Sequence, residues 1–240
     1  MGLFNLHKAQ IGIDGLPVPP PKLVFDVAGT EDLNWFFTAG KRGMESIVTM
    51  LANHDIDISK MDAVLDFGCG VGRVLRHFRG INGPVFYGTD YNPILIRWAK
   101  RNLKFARFNI NKMVGTLPYK DGQFDLIYVL SVFSHLPEEQ GLFWMHELTR
   151  ITKPGGFLYA TTHGKKHYWP QIGEADRPRF LKGELVVYTT QKAGTNECAA
   201  FHPEKYMRKV LAKDLKVVDF IAQGALGNPL QDAWLLQKSR

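Results

Sequence analysis

The stretch from Val64 to Arg73, VLDFGCGVGR, constrains this chain more than any other. Apolar residues flank an acid, glycines then fall at alternate places (Gly68, Gly70, Gly72), and the apolar pattern resumes at Val74, Leu75 and Phe78. This reads as a buried strand, a tight turn and a helix, the helix running from Val74 to Arg79. Glycine reaches positive φ at little cost and, lacking Cβ, lets a ligand lie against the backbone. Amides at the start of the following helix are expected to point outward as free donors for a carboxylate or phosphate.

The glycine spacing separates the candidate ligands. A dinucleotide fingerprint places its third glycine three residues after the second, and here Arg73 occupies that place. Asp66, at the end of the first strand, is placed to hold an amino group. VFYGTD reads as a second strand ending in Asp90, twenty residues after Gly70, where an acid can accept from both hydroxyls of a ribose. A ligand with a nucleoside at one end and an amino acid at the other satisfies both.

S-adenosylmethionine is such a ligand, and the sequence resembles the class I S-adenosylmethionine-dependent methyltransferases, in a branch with DFGCG and SVFSHL wording. The resemblance runs from about Ala63 to Thr162 through VLDFGCGVGR, GTDYNPILIRWAKRN, LPYKDGQFDLIYVLSVFSHLPEE and ELTRITKPGGFLYATTHG. It implies an α/β fold: a doubly wound, Rossmann-like, seven-stranded and mostly parallel sheet with its last strand antiparallel, and a helical N-terminal lid. It also implies S-adenosyl-L-methionine as cofactor, with Asp66, Gly68, Cys69, Gly70, Arg73, Asp90, Tyr91, Asn109, Ile110, Asn111, Leu130 and Ser131 as its binding residues. Many relatives have an acid after the third strand to hold the adenine amino group; this chain offers Asn109 or Asn111, whose carbonyls accept the same proton.

Residues 1–60 are expected to form an N-terminal arm and lid, and residues 61–240 the methyltransferase domain. LPVPPPKL, Leu16 to Leu23, has four prolines in eight residues and reads as an extended arm rather than helix or central strand. Thr30 is expected to cap a helix from Glu31 that stops at Gly40, with a second helix from Lys41 to about Asn53. Asn92-Pro93 opens a helix, Ala106 to Ile110 is a third strand, Phe124 to Leu130 a fourth, and Phe157 to Thr162 a fifth after the stop KPGG. The alternation breaks over residues 163–202, an insert with a strand at Leu185 to Thr190 and an irregular GTNECAAF. A helix from Pro203 to Lys213, a strand at Lys216 to Ala222 and a closing strand at Ala233 to Gln237 follow. The insert and the final hairpin loop are read as the acceptor site.

Methyl transfer from a sulfonium requires alignment of the nucleophile and removal of its proton, and no metal. His163, at the end of the fifth strand, is the expected general base and His135, after the fourth, its rival, with His167, Tyr168 and His202 behind them. The two cysteines, Cys69 and Cys198, form neither a metal spacing nor a disulfide framework. No apolar run approaches the ~18 to 20 residues of a membrane span. MGLFNLHKAQ lacks a signal-peptide core, Leu6 stands where a myristoylation motif needs Ser or Thr, and a cytoplasmic location is the default.

A net charge of +7 raises a nucleic-acid reading. The runs Arg97, Lys100, Arg101, Lys104, Arg107 and Lys205, Arg208, Lys209, Lys213, Lys216 lack interleaved aromatics for stacking bases and read as solvated helix faces. The expected acceptor is therefore a small molecule or saccharide, methylated on O or N. The alternatives are an RNA or protein methyltransferase using the basic face and a non-catalytic cofactor-binding protein, with a dehydrogenase more distant on glycine spacing.

Overall fold

The computed structural model describes residues 10–227 and 230–240. The expectations drawn from MGLFNLHKA fall outside those residues, as does the centre of the last hairpin loop. Among the described residues no helix is long and apolar enough to cross a membrane.

Seven strands form one sheet: β1 (Ala63–Phe67), β2 (Val85–Asp90), β3 (Ala106–Ile110), β4 (Phe124–Val129), β5 (Thr152–Thr162), β8 (Lys216–Ala225) and β9 (Gln231–Gln237), in the order β3-β2-β1-β4-β5-β9-β8. Strands β1 to β5 are parallel, and β9 runs antiparallel to both β5 and β8, the mixed doubly wound sheet that the resemblance implies. β1 is buried along its whole length because helices cover both faces, which is why VLDF carries no polar residue besides Asp66. The strand order reverses between β1 and β4, and the carboxyl ends there open a crevice.

The helices differ from expectation in informative ways. LPVPPPKL is not extended throughout: α1 (Pro21–Ala28) begins at its third consecutive proline, since a first-turn residue has no intrahelical N–H bond to lose. One helix, α2 (Leu33–Ala52), replaces the two expected. Its cap is Asp32, accepting from Asn34 N at 2.8 Å and Trp35 N at 3.2 Å, rather than Thr30. Gly40 lies inside it, for packing and not as a stop: a Cβ there would stand 2.3 Å from the carbonyl oxygen of Arg73, so this glycine lets α2 rest directly on the glycine loop.

The expected helix after that loop is a four-residue 3₁₀ turn, Leu75–Phe78. Leu75 and Phe78, both fully buried, sit three residues apart and eclipse on one face of a 3₁₀ turn. Free amides at an α-helical start are accordingly absent. The N–H groups of Gly68 and Cys69 donate to Thr89 O, and that of Gly72 to Cys69 O.

Asn92 caps α3 (Pro93–Asn102) through Ile94 N at 2.9 Å. The chain then passes from α4 (Glu138–Ile151) straight into β5 at Thr152, with KPGG inside the strand where its register against β4 shifts. The insert holds α5 (Lys165–Tyr168), α6 (Arg177–Lys182) and a two-stranded sheet of β6 (Val186–Tyr188) and β7 (Ala199–Phe201), so GTNECAAF ends in a strand. The helix expected to Lys213 is a single turn, α7 (Glu204–Tyr206), followed by a π turn to Leu211. Leu16, Ile47 and Met50 share a core with Leu75, Phe78 and Tyr128, which fixes the N-terminal segment against the sheet. Both basic runs are exposed along their length.

Candidate active site

A cavity of about 470 Å³ opens at the carboxyl ends of β1, β2 and β4. Of the residues expected to bind or act on ligands, Asp66, Gly68, Cys69, Gly70, Arg73, Asp90, Tyr91, Asn111, Leu130, Ser131, His135 and His163 line it. Asn109, Ile110, His167 and His202 do not. Asn109 Nδ2 donates to the Tyr119 hydroxyl at 3.2 Å, Ile110 points to solvent, and His202 is buried behind His163, edge-on to Tyr206. Of Asn109, within β3, and Asn111, just after it, only Asn111 faces the cavity; its Oδ1 accepts from Thr89 Oγ1 at 3.0 Å.

One half of the cavity is ionic. Asp90, 8% exposed, accepts from Gly70 N at 2.9 Å and Asn92 N at 2.8 Å, one amide on each oxygen. Burial nonetheless pushes its carboxyl above the usual range, against those bonds. Asp66 is 4% exposed and burial drives it up to about 8; the Tyr128 hydroxyl opposes this, Asp90 adds to it and Arg73 opposes it. The Arg73 guanidinium, lowered by burial to about 10 and held up by Asp66, donates to Gly227 O at 3.3 Å. Cys69 is buried and its thiol pushed well up by desolvation, so it is packing rather than a nucleophile.

All three glycines of the loop sit at positive φ in close approach, and two of them shape the cavity. A Cβ on Gly68 (φ 79°) would lie 2.4 Å from Val132 Cγ2, and one on Gly70 (φ 54°) 2.5 Å from Val27 Cγ1. The second contact brings α1 over the loop, and Asp26 to Gly29 form a cavity wall. Opposite, the insert folds back: Tyr91 Oη donates to Gly194 O at 3.1 Å and Gly194 N donates to His135 O at 2.8 Å.

The other half is neutral. His163 is 6% exposed, stacked on Tyr168 at 3.8 Å between ring centroids and edge-on to His135 at 5.7 Å. Burial lowers its pKa to about 3, with the neighbouring histidines adding to the shift, and its Nδ1 is buried without a hydrogen-bond partner. His135 is also lowered by burial, but the Cys198 carbonyl, 2.7 Å from Nδ1, opposes the shift. Its Nε2 lies 3.4 Å from Ser131 Oγ.

Ser131 has φ 57°, a strained value for a residue with a Cβ, and a network holds it there. Its N–H donates to Thr161 Oγ1 at 2.8 Å, Thr161 Oγ1 donates to Gln231 Oε1 at 2.6 Å, and Gln231 Nε2 donates to Ser131 Oγ at 2.8 Å. Gln231 is fully buried. Sequence reasoning missed it by starting the last strand at Ala233; the one available signal was a lone amide beside the apolar run AWLL. Gly194 and Asn196, which also line the cavity, left no signal. Among the described residues no cluster of His, Cys, Asp and Glu suits a metal ion.

Residues 65–160 match the family model described as a methyltransferase domain. Norajmaline N-methyltransferase of Rauvolfia serpentina is 22% identical over 82% of this chain and 68% of its own length. Sterol 24-C-methyltransferase ERG6B of Gibberella zeae is 31% identical over 44% of this chain, which spans only 28% of that protein. The solved structure of an S-adenosylmethionine-dependent methyltransferase from Mesorhizobium loti superposes with a TM-score of 0.62 at 13% identity, covering 82% of this chain and all of that one. Residues 65–160 thus carry a methyltransferase domain, and the fold around them is the class I S-adenosylmethionine-dependent methyltransferase fold.

Proposed function

We propose that the protein transfers the methyl group of S-adenosylmethionine to an O or N nucleophile on a small molecule, a saccharide included. The observation that carries this reading is the division of one cavity into an ionic half at Asp66, Arg73 and Asp90 and a neutral half at His135, His163 and Ser131.

The ionic half fits the cofactor. Asp66, buried and driven up to about 8, lacks a full countercharge, and a ligand ammonium supplies one. Arg73 stands beside it for a carboxylate. Asp90 uses one amide on each oxygen, which leaves acceptor capacity for two ribose hydroxyls. Asn111 is the adenine-side candidate, since Asn109 and Ile110 stand away from the cavity. When bound, S-adenosylmethionine supplies a methyl carbon already activated by its sulfonium.

The remaining work falls to the neutral half. Aligning the nucleophile supplies ~7 to 11 kcal/mol, and a positioned base adds ~10²–10⁴-fold. Between the two histidines, geometry favours His135 as proton acceptor, with His163 and Tyr168 as a ring wall against which the acceptor is packed. Among the described residues nothing cationic lines this half, and Arg73 is the one cationic residue of the cavity. A carboxylate or phosphate near the reacting atom therefore meets no cation among the described residues here, which supports an acceptor that is uncharged at its reacting end.

The test is calorimetry with S-adenosylhomocysteine and with NAD, followed by mass spectrometry of a metabolite pool incubated with protein and S-adenosylmethionine carrying a labelled methyl group. Tight binding of S-adenosylhomocysteine, no binding of NAD and a labelled small molecule are expected. NAD binding without S-adenosylhomocysteine binding overturns the reading, and label found only in RNA or protein overturns the acceptor class.

A further inference from the structure

Residues 10–18 turn back on themselves through Val18 N to Gln10 O and Gly12 N to Leu16 O, both 2.8 Å, and the turn presents Asp14. Its carboxylate forks onto Arg76: Nε donates to Oδ2 and Nη2 to Oδ1, the latter at 3.1 Å, while Nη2 also donates to Pro17 O at 3.0 Å. The Arg76 side chain is fully buried, with its guanidinium 4.9 Å from the ring centroid of Phe37 and 5.6 Å from that of Phe36. Arg76 lies three residues beyond Arg73, and its N–H is bonded to Gly72 O. The arm thus grips the far end of the glycine loop.

Besides this fork the arm is held by Leu16 in the core, by Val18 against the Phe36 and Phe37 cluster and by Arg79 Nη1 donating to Gly15 O at 3.4 Å, and its tip is exposed. Ile11 and Ile13 are 58% and 87% exposed, and Leu16 is the one buried apolar residue among 10–16. The eight-residue α1 that follows is too short to persist without tertiary support; Leu23 and Val24 pack it on Phe36 and Phe37, the two rings that flank the Arg76 guanidinium, and its end sets Val27 against Gly70 and contributes Asp26 to Gly29 to the cavity wall. A buried guanidinium that loses its carboxylate is strongly unfavourable, so the ion pair and the docked arm stand or fall together.

We propose that Asp14 is a positioning residue for the cofactor: its fork with Arg76 latches the arm and α1 onto the glycine loop, and the α1 wall of the cavity stands while the latch is made. This rests on the cavity being the cofactor's, and the experiment separates the two. Calorimetry with S-adenosylhomocysteine is run on the full chain, on Asp14→Asn, on Asp14→Glu and on His54→Ala, which breaks the distant His54 to Asp219 pair of 2.9 Å. Asp14→Asn is expected to weaken binding at least five-fold, Asp14→Glu to recover most of that loss, and His54→Ala to leave affinity within two-fold whatever it does to Tm. Hydrogen exchange on the unaltered protein is the second measurement: residues 12–18 and 21–28 are expected to gain protection together when the ligand binds. Unchanged affinity in folded Asp14→Asn, an equal loss in His54→Ala at equal Tm, or protection confined to 21–28 overturns the latch. Failure of the unaltered protein to bind S-adenosylhomocysteine overturns the cavity assignment and the latch with it.

Discussion

The imidazole of His135 and the backbone carbonyl of Cys198 meet at 2.7 Å. A carbonyl only accepts, so Nδ1 carries the proton and the lone pair sits on Nε2, turned toward Ser131 at 3.4 Å. The residue that sets this tautomer comes from the insert, sixty-three positions along the chain. His163 has no comparable orienting partner on Nδ1.

His135→Ala is accordingly expected to lower kcat ten-fold or more, at or just below the general-base range of ~10²–10⁴, while S-adenosylhomocysteine affinity stays within about two-fold. His163→Ala, the costlier change on sequence grounds, is expected to raise KM for the acceptor more than it lowers kcat, because it removes a ring wall and a very weak base. Steady-state kinetics on the identified acceptor checks the split; a larger kcat loss in His163→Ala returns the base to His163.

Asp66 yields a prediction that needs no acceptor. In the empty cavity its carboxyl, driven to about 8, is mostly protonated at pH 7, and a ligand ammonium beside it favours the ionised form. Binding of S-adenosylhomocysteine at pH 7 is therefore expected to release close to one proton, and at pH 9 almost none. Calorimetry in phosphate and in Tris, whose ionisation enthalpies differ, measures this directly. Equal heats in both buffers at pH 7 place the ammonium elsewhere.

Asp90→Ala is expected to weaken S-adenosylhomocysteine binding by roughly 1.5 to 3 kcal/mol, the range for hydrogen bonds to a charged acceptor. The same change frees the amides of Gly70 and Asn92, so Asp90→Asn is the better-behaved companion, retaining one acceptor oxygen and losing the charge. An unchanged dissociation constant in both variants removes Asp90 from the ribose.

What could be read from the sequence was what local pattern encodes. Asp66 is the last residue but one of β1 and Asp90 ends β2, and a strand end in a parallel sheet faces the crevice whatever the rest of the chain does. Asn92-Pro93 is a local signal and caps α3 as read. Gly40 misled because a helix stop and a close helix-to-loop contact use the same residue, and only the carbonyl of Arg73 distinguishes them. Gln231, Gly194 and Asp14 were invisible for one reason: each acts on partners 62 to 103 residues away (Ser131, Tyr91 and Arg76), and no periodicity records such pairs.

The buried histidines and Asp66 give the ligand-free protein a stability maximum near neutral pH. His163 and His202 are lowered by burial to about 3, and His77 to about 4. As pH falls below 6.5 the unfolded chain takes up protons on all three that the folded chain refuses, so stability is lost toward pH 4. Asp66 works with the opposite sign: its folded pKa, about 8, lies above its unfolded value, so the folded chain binds the extra proton. That contribution is present at low pH and lost as pH rises through 8, and Asp90 and Asp232, also raised by burial, act in the same sense. Between pH 5 and 6 the imidazoles outnumber Asp66 and stability rises with pH; above about pH 7 the unfolded imidazoles are already neutral, Asp66 dominates and the slope reverses, more gently. Denaturant titrations from pH 5 to 9 are expected to trace this dome. Saturating S-adenosylhomocysteine, by supplying the countercharge to Asp66, is expected to flatten the alkaline limb and to steepen the acid limb, where the extra proton on folded Asp66 no longer offsets an imidazole. A dome whose alkaline side is unmoved by the ligand removes Asp66 from the ammonium, and a flat acid side means the three imidazoles accept protons in the folded state.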